Sequence, residues 1–576
     1  MADTNGTDPV TEPTPESEDS GILEAPRDFG GIARQLGPGL IIAASIVGSG
    51  ELIATTKTGA QAGIALLWLI IVGCLIKVFV QIEFGRFSIG NGETTLSALN
   101  RVPGPRLVVN WIVWYWLVMQ CVGFGQLGGI VGGVGQALAM AVPINGDYVE
   151  AILVPSEKEL KRYIAWEGDL DNDGVEFAKL SDEQQERVTR SQKVVADRLA
   201  KLDAIEAGKG DEVVALVQAL IDAENAEDSD AKSAAQAEVN ATLKPATKDD
   251  KYWAVAVTLM TIILLVRGRY GMLQTVSTVL VVGFTIVTIG NVIALQMKPE
   301  FSLTAAEFIS GLLPGLPEAD FAPPGLTGWK ISAPVATAMA TFGIIGVGAS
   351  ELVGYPYWCL EKGYAKYTGK KTNDDAWYER ANGWIRVMKY DAFFSMVIYT
   401  VATLAFFVMG VAVMYQNGLD PEGMRMVSTL AEQYVPVFGE YAKWLFLIGA
   451  IAVLYSTYLV ANAMFARLFT DAFKVYGLMQ PGNQKTHDKS VMILSAIFPL
   501  ISMTIYCLGF NPVKLVLLGG FMQAVMLPML GIAALYFRFK LTDDRLKPGG
   551  LWDVCLIVSG IGLMISGAWG VYSKLS

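Results

Sequence analysis

Runs of about 20 mostly apolar residues, the length of helix that crosses a bilayer core, recur along this chain from Gly39 to its end with few interruptions. Eleven candidate spans start near Gly39, Ile64, Val108, Tyr252, Leu273, Ile331, Met388, Lys443, Ser490, Val513 and Leu551. The third is long and the fourth short. A chain of 576 residues that is 52% hydrophobic and 17% charged is too apolar for a soluble enzyme of this length, so its first partner is the lipid bilayer. The five cysteines (Cys74, Cys121, Cys359, Cys507, Cys555) all fall inside apolar runs, which leaves no disulfide framework and makes them small core residues. Met1 to Asp28 is acidic and rich in Pro, Thr and Ser, with no basic region or cleavage site ahead of the first span. It reads as a disordered, uncleaved tail over residues 1–35.

Basic residues flanking a span are retained on the cytoplasmic side. Arg101 and Arg106, Arg267 and Arg269, Lys362 through Lys389, Lys474 through Lys489, and Arg538 through Lys547 mark alternate connections. The connections between them, such as Met297 to Lys330 and Asn417 to Glu440, carry fewer bases and several acids. The expected protein therefore sits in a cell inner (cytoplasmic) membrane with its amino terminus inside. Spans one to three occupy 36–144 and spans four to eleven 251–576. Between them, residues 145–250 form a long, charged, helix-favouring insert on the outer side, and connections that long usually carry structure of their own. Ser181 with Gln184 makes a capping-box pattern, and Val188, Val195, Leu199 and Leu202 recur at helical spacing, which predicts a helical hairpin. Asp169, Asp171, Asp173 and Gly174 have the alternate-acid spacing of a calcium loop. The twelfth position is Leu180 where a bidentate Glu is required. A solvated acidic turn is therefore preferred over calcium.

The two halves of the chain share a motif. The first span reads Ile46-Val47-Gly48-Ser49-Gly50-Glu51-Leu52 and the sixth Gly346-Val347-Gly348-Ala349-Ser350-Glu351-Leu352, both V-G-x-x-E-L at mid-span. With five spans in each copy, an odd unit must invert across the membrane, so the motifs approach each other about a pseudo-two-fold axis. Glycine weakens a helix, and broken helices at bilayer depth are tolerated where their freed backbone lines a polar cavity. Gly48, Gly50 and Gly348 supply that breakage. A Glu in mid-membrane costs about 2.5–3.5 kcal/mol on insertion scales, so Glu51 and Glu351 are site candidates. The plainer reading is that the glycines serve helix packing and each Glu pairs with a lysine such as Lys57 or Lys77. It explains neither the repetition nor the paired acids.

The run Gly37-Pro38-Gly39, seven residues, the motif, then Gly59-Ala60-Gln61 resembles the first helix of the Nramp (natural resistance-associated macrophage protein) divalent metal transporters. Arg269-Tyr270-Gly271, Gly311-Leu312-Leu313-Pro314, Gly343-Ile344-Ile345-Gly346 and Leu527-Pro528 follow in the family's order. The resemblance runs from Leu36 onward, leaving out the insert. It implies an all-α membrane protein with a LeuT-type 5+5 inverted repeat, broken helices one and six, alternating access, and a divalent metal ion as substrate at the breaks. The departures are equally specific. Where the family has Asp-Pro-Gly-Asn this chain has Gly48-Ser49-Gly50-Glu51, and where it has Met-Pro-His this chain has Ser350-Glu351-Leu352. The family's third span carries acids held to conduct protons, whereas Gly125-Gln126-Leu127-Gly128 carries none. The direction of these changes is that of the Nramp-related magnesium transporters.

What remains at the expected site is oxygen: Glu51, Glu351, the hydroxyls of Ser49 and Ser350, backbone carbonyls around Gly48, and the amide of Gln523, about one turn from Gly520. An inter-helix hydrogen bond is an equally good use for that amide. Carboxylate, carbonyl and water ligands suit magnesium, calcium or manganese, while thioether and imidazole suit softer metals. The rivals are an ion-coupled carrier of amino acids or other organic solutes on the same fold, or a non-conducting nutrient sensor. An enzyme is not expected, since no nucleophile with its base, metal-ligand His/Cys spacing or phosphate-cradling loop appears. Nucleic-acid binding has no basic patch to support it, and no cofactor is expected. The only histidine, His487, falls in a predicted cytoplasmic loop. The alternation of charge has a direct test: in intact cells an impermeant thiol reagent should label Asp211→Cys and leave Lys370→Cys untouched.

Overall fold

Lipid offers no hydrogen bonds, so every backbone N–H and C=O in the membrane must find its partner within the chain. The computed structural model describes residues 21–167, 182–267, 270–317, 334–480 and 482–575, and these are helical apart from connections and a two-residue hairpin, Arg106–Leu107 with Val109–Asn110. Among them, nine helical stretches are long and apolar enough to cross a membrane. The first, Pro38–Asn91, has 54 residues, more than twice what one crossing requires. It turns at Gly63 and is two spans, the second being Leu67–Asn91. A further helix, Asp249–Arg267, opens on two acids and a lysine but has the length to cross. The count of spans among the described residues is thus eleven. The others are Trp111–Ala141 (third), Tyr270–Gln296 (fifth), Pro334–Lys362 (sixth), Asp375–Met409 (seventh), Ala442–Val475 (eighth), Gln484–Cys507 (ninth), Pro512–Tyr536 (tenth) and Gly550–Leu575 (eleventh). Side-chain caps set their starts: Asn110, Asp374, Asn483 and Asn511 each accept from a first-turn N–H.

The packing obeys the two-fold relation that the repeated motif requires. Span one packs on span seven as span six packs on span two; one meets five as six meets ten; three meets ten as eight meets five; three meets nine as eight meets four. An inverted repeat of five predicts each of these pairs from its mate.

The insert follows the third span. Beyond the expected hairpin, the described residues include, besides the short helix Asp147–Ala151, four longer helices, Glu157–Glu167, Asp182–Ile205, Lys209–Asn225 and Ser229–Leu243, around a core of their own that includes Leu160, Val195, Leu199, Val213, Val217, Leu220 and Leu243. The hairpin reading stopped short because the apolar spacing of one helix says nothing of how many others share its core. Ser181 of the capping box and the acidic run Asp169, Asp171, Asp173 lie outside the described residues. The insert docks on the connection between spans seven and eight. Arg425, on that connection, donates to the carbonyls of Val154 and Leu243 (3.1 Å for Leu243), Tyr148 donates to Met424 O at 2.5 Å, and Lys158 pairs with Glu422 at 2.9 Å. The same connection carries Asp420, which takes Lys57 and Gln61 from the second half of span one. On the opposite face Leu23 bonds Tyr367, and Lys371 pairs with Asp543 at 3.2 Å.

Two sequence expectations need correction. Cys74 and Cys359 are buried, but Cys121 is exposed and Cys507 and Cys555 are half-buried, because apolar runs in a membrane protein also face lipid and an apolar setting does not imply a core. His487 is not in a loop; it sits half-buried in the first turn of span nine.

Glu159 is bonded to Arg198 and Ser156 within the insert and lies within electrostatic range of Arg425 at its attachment. Burial works to raise its carboxyl, but Arg198 (3.0 Å), Arg425 and hydrogen bonds from Ser156 outweigh it and hold the group down at about 2. A folded-state value below the ordinary 4.5 stabilises the attachment above pH 4.5, and that contribution is lost as pH falls from about 4.5 towards 2. Limited proteolysis of the detergent-solubilised protein should therefore cut the insert increasingly across this interval. Arg425→Ala, which removes charge-assisted bonds of about 1.5–3 kcal/mol, should produce the same susceptibility at neutral pH.

Candidate functional site

Two helices stop and restart in mid-membrane. In span one the helix Pro38–Ile46 ends, Val47 and Gly48 turn, and the chain resumes as a wide π-turn over Ser49–Thr55 before the α-helix Thr56–Ala62. Gly48 is held against span eight so closely that a β-carbon there would lie 1.6 Å from Thr457 Oγ1. In span six Pro334–Ile344 ends, Gly346 takes φ +56°, and a second helix runs Ala349–Lys362. That φ is left-handed, which glycine adopts without strain.

The freed backbone groups have named partners. Lys77 of span two, fully buried, donates to the carbonyls of Phe342 and Ile345 (2.7 Å for the latter) and lies 4.6 Å from the Phe342 ring centroid. A cation there also meets the negative end of the Pro334–Ile344 helix dipole. Asp391 of span seven accepts the N–H groups of Gly37 (2.8 Å) and Gly39 at the start of span one and the hydroxyl of Tyr355 at 3.0 Å.

Glu51 is buried and Glu351 is half-buried. Glu351 Oε1 accepts from Ser45 Oγ at 3.2 Å, while Glu51 Oε1 accepts from Thr403 Oγ1 at 3.0 Å and its Oε2 from Gly48 N–H at 3.4 Å. Ser350 N–H donates to Gln523 Oε1 at 3.1 Å, and Ser350 Oγ to Gln120 Oε1 at 2.9 Å. A cavity of about 20 Å³ opens between the breaks, lined by Ser45, Ser49, Ser350, Glu351, Gln126 and Gln523 among others. That is room for roughly one water-sized species.

Of the residues expected from sequence, the cavity gathers Glu351, Ser49, Ser350 and Gln523. Gly48 stands at the break beside it. Glu51 does not line it, being turned towards Thr403 of span seven, though it remains within electrostatic range of Glu351. The lysine pairing does not occur: Lys77 bonds carbonyls and Lys57 bonds Asp420. Sequence reasoning missed Ser45, Thr403, Lys77, Asp391 and Gln120 as site-building residues. Lys77 and Asp391 carried a readable signal, charge inside an apolar run, whereas the hydroxyls carried none. Among the described residues no group of three or more His, Cys, Asp or Glu side chains gathers as a metal cluster. A cation held here would rely on carboxylate and neutral oxygens.

Eleven spans, a two-fold repeat of five and paired helix breaks around a cavity define a membrane protein of the LeuT-type fold. Residues 243–573 match the family profile described as natural resistance-associated macrophage protein-like. The chain belongs to the Nramp family of divalent metal transporters and is not an enzyme. Among solved structures, that of an Eremococcus coleocola manganese transporter in complex with an aromatic bis-isothiourea substituted compound is 14% identical with a TM-score of 0.50, covering 97% of this chain and 92% of that one. MhsT in complex with L-phenylalanine is 13% identical, with a TM-score of 0.43 over 96% and 99% of the two chains. Mhp1, a nucleobase-cation-symport-1 family transporter, is 14% identical, with a TM-score of 0.39 over 96% and 94%. No curated protein sequence matches significantly.

Removing the lysine at the span-six break tests how the break is held. Lys77→Met keeps the length but leaves two buried carbonyls without a charged donor, and should lower stability by about 1.5–3 kcal/mol. Thermal unfolding in detergent should show this as an earlier transition, and an unchanged transition would mean that Lys77 does not secure the break.

Proposed function

We propose that this protein carries a hard divalent cation, magnesium or manganese, through an inner (cytoplasmic) membrane by alternating access, without the proton coupling usual in its family. Its amino terminus then lies in the cytoplasm and residues 145–250 form an extracytoplasmic accessory domain. The observation that carries the reading is the donor set at the paired breaks: Glu351, Ser49, Ser350 and Gln523 around the cavity, with Glu51 behind, and neither thioether nor imidazole among them. Oxygen donors favour hard cations over soft ones. The cavity volume of about 20 Å³ also favours an ion over an organic solute in this conformation. Glu351 and Ser350 would meet the ion directly, backbone oxygens near Gly48 and Ser49 would complete the shell, and Glu51 would add the second charge. Gln126 replaces an acid on the third span, so no carboxylate is available there to pass a proton.

At an effective dielectric near 20, a pair of unit charges 4 Å apart interact by about 4 kcal/mol, so the loss of either carboxylate should be severe. Glu51→Gln and Glu351→Gln should each cut uptake into proteoliposomes at least about 100-fold with expression intact. Ser350→Met should shift preference towards cadmium, whose affinity for sulfur is greater. An internal pH dye in the same liposomes should record no acidification during uptake. Stoichiometric proton entry would overturn the uncoupled mechanism, and full activity of both Gln variants would remove the metal site.

A further inference from the structure

The side-chain amide of Gln523 has a polarity dictated by its neighbours. A backbone N–H can only donate, so the Gln523 atom 3.1 Å from Ser350 N must be its carbonyl oxygen. The NH2 end is thereby turned away, and it donates to Gln126 Oε1 of span three at 3.0 Å. Gln126 is itself confined, since a β-carbon on Gly519 would lie 2.6 Å from both its Cβ and its Oε1. With this polarity, Gln523 Oε1 shares a corner with Glu351. A β-carbon built on Gly348 would lie 2.7 Å from that amide oxygen and 2.5 Å from Glu351 Oε2. Two oxygens from different spans thus face one point beside the cavity.

We propose that Gln126 is a positioning residue: by accepting from the Gln523 amide it holds the carbonyl oxygen of Gln523 towards the Glu351 corner, making Gln523 a neutral oxygen donor to the transported cation. The inference rests on the cation site proposed above. If Gln126 offers no acceptor, the Gln523 NH2 group loses its partner and the amide can rotate, presenting a donor to the cation in place of an oxygen.

The test is a double-mutant cycle read as initial rates of Mn2+ and Mg2+ uptake by the full chain in proteoliposomes. Gln126→Met, which keeps the shape and removes the acceptor, should raise KM about tenfold, the equivalent of one hydrogen bond, with little change in maximal rate. Gln126→Asn, too short to reach Gln523, carries the same expectation and serves if the Met variant does not fold. Gln126→Glu, which restores an acceptor, should return KM to within about threefold of the parent. In a Gln523→Leu background, substitution at Gln126 should raise KM no further. A penalty at Gln126 that persists undiminished in that background, or an unchanged KM in both Gln126→Met and Gln126→Asn, would overturn the positioning role. In either case, a raised KM in Gln523→Leu together with lost uptake in Glu351→Gln would leave the cation site standing. Unchanged uptake in both of those variants would remove the cation site, and the positioning role with it.

Discussion

A helix that stops halfway through a bilayer exposes carbonyls and amides where there is no water to receive them, and this structure is organised around meeting that demand twice. The break in span six directs its carbonyls to Lys77 and an amide to Gln523. The first half of span one is capped at its start by Asp391 and pressed at its break against Thr457. These partners come from spans two, seven, eight and ten, so the bundle around the breaks supplies what lipid cannot. The two-fold packing follows from the same demand, since equivalent breaks need equivalent neighbours.

The two breaks are related but not equal. Glu351 faces the cavity with Ser45 as its donor, while Glu51, at the matching position, is drawn back by Thr403 and by the N–H of Gly48. The wide π-turn over Ser49–Thr55 in span one has no counterpart in the regular helix that follows Gly348. A repeated motif therefore gives two carboxylates with different hydrogen-bond duties.

Much of this was legible in the chain. Apolar run length gave the spans, and V-G-x-x-E-L marked both breaks because glycine and an intramembrane acid are each costly without a use. The partners were less visible. The acceptors for Lys77 are backbone carbonyls, which no residue letter announces. The Gln126–Gln523 bond joins residues 397 apart, and the direction taken by Glu51 depends on a threonine of span seven that looks like any other in an apolar helix. The insert showed one helix through Val195, Leu199 and Leu202, but a core shared by Leu160, Val213 and Leu243 exists only once the chain has folded.

Lys77 is a donor tied to the scaffold, held in place at the carbonyls of Phe342 and Ile345. Those two oxygens are claimed in advance and withdrawn from the competition for a travelling ion. Lys77 also lies within electrostatic range of both motif carboxylates, so whenever it is protonated its charge offsets theirs. A carrier must release what it binds, and in the function proposed above a lysine charge so close to the carboxylates would shorten an ion's stay without closing the way in.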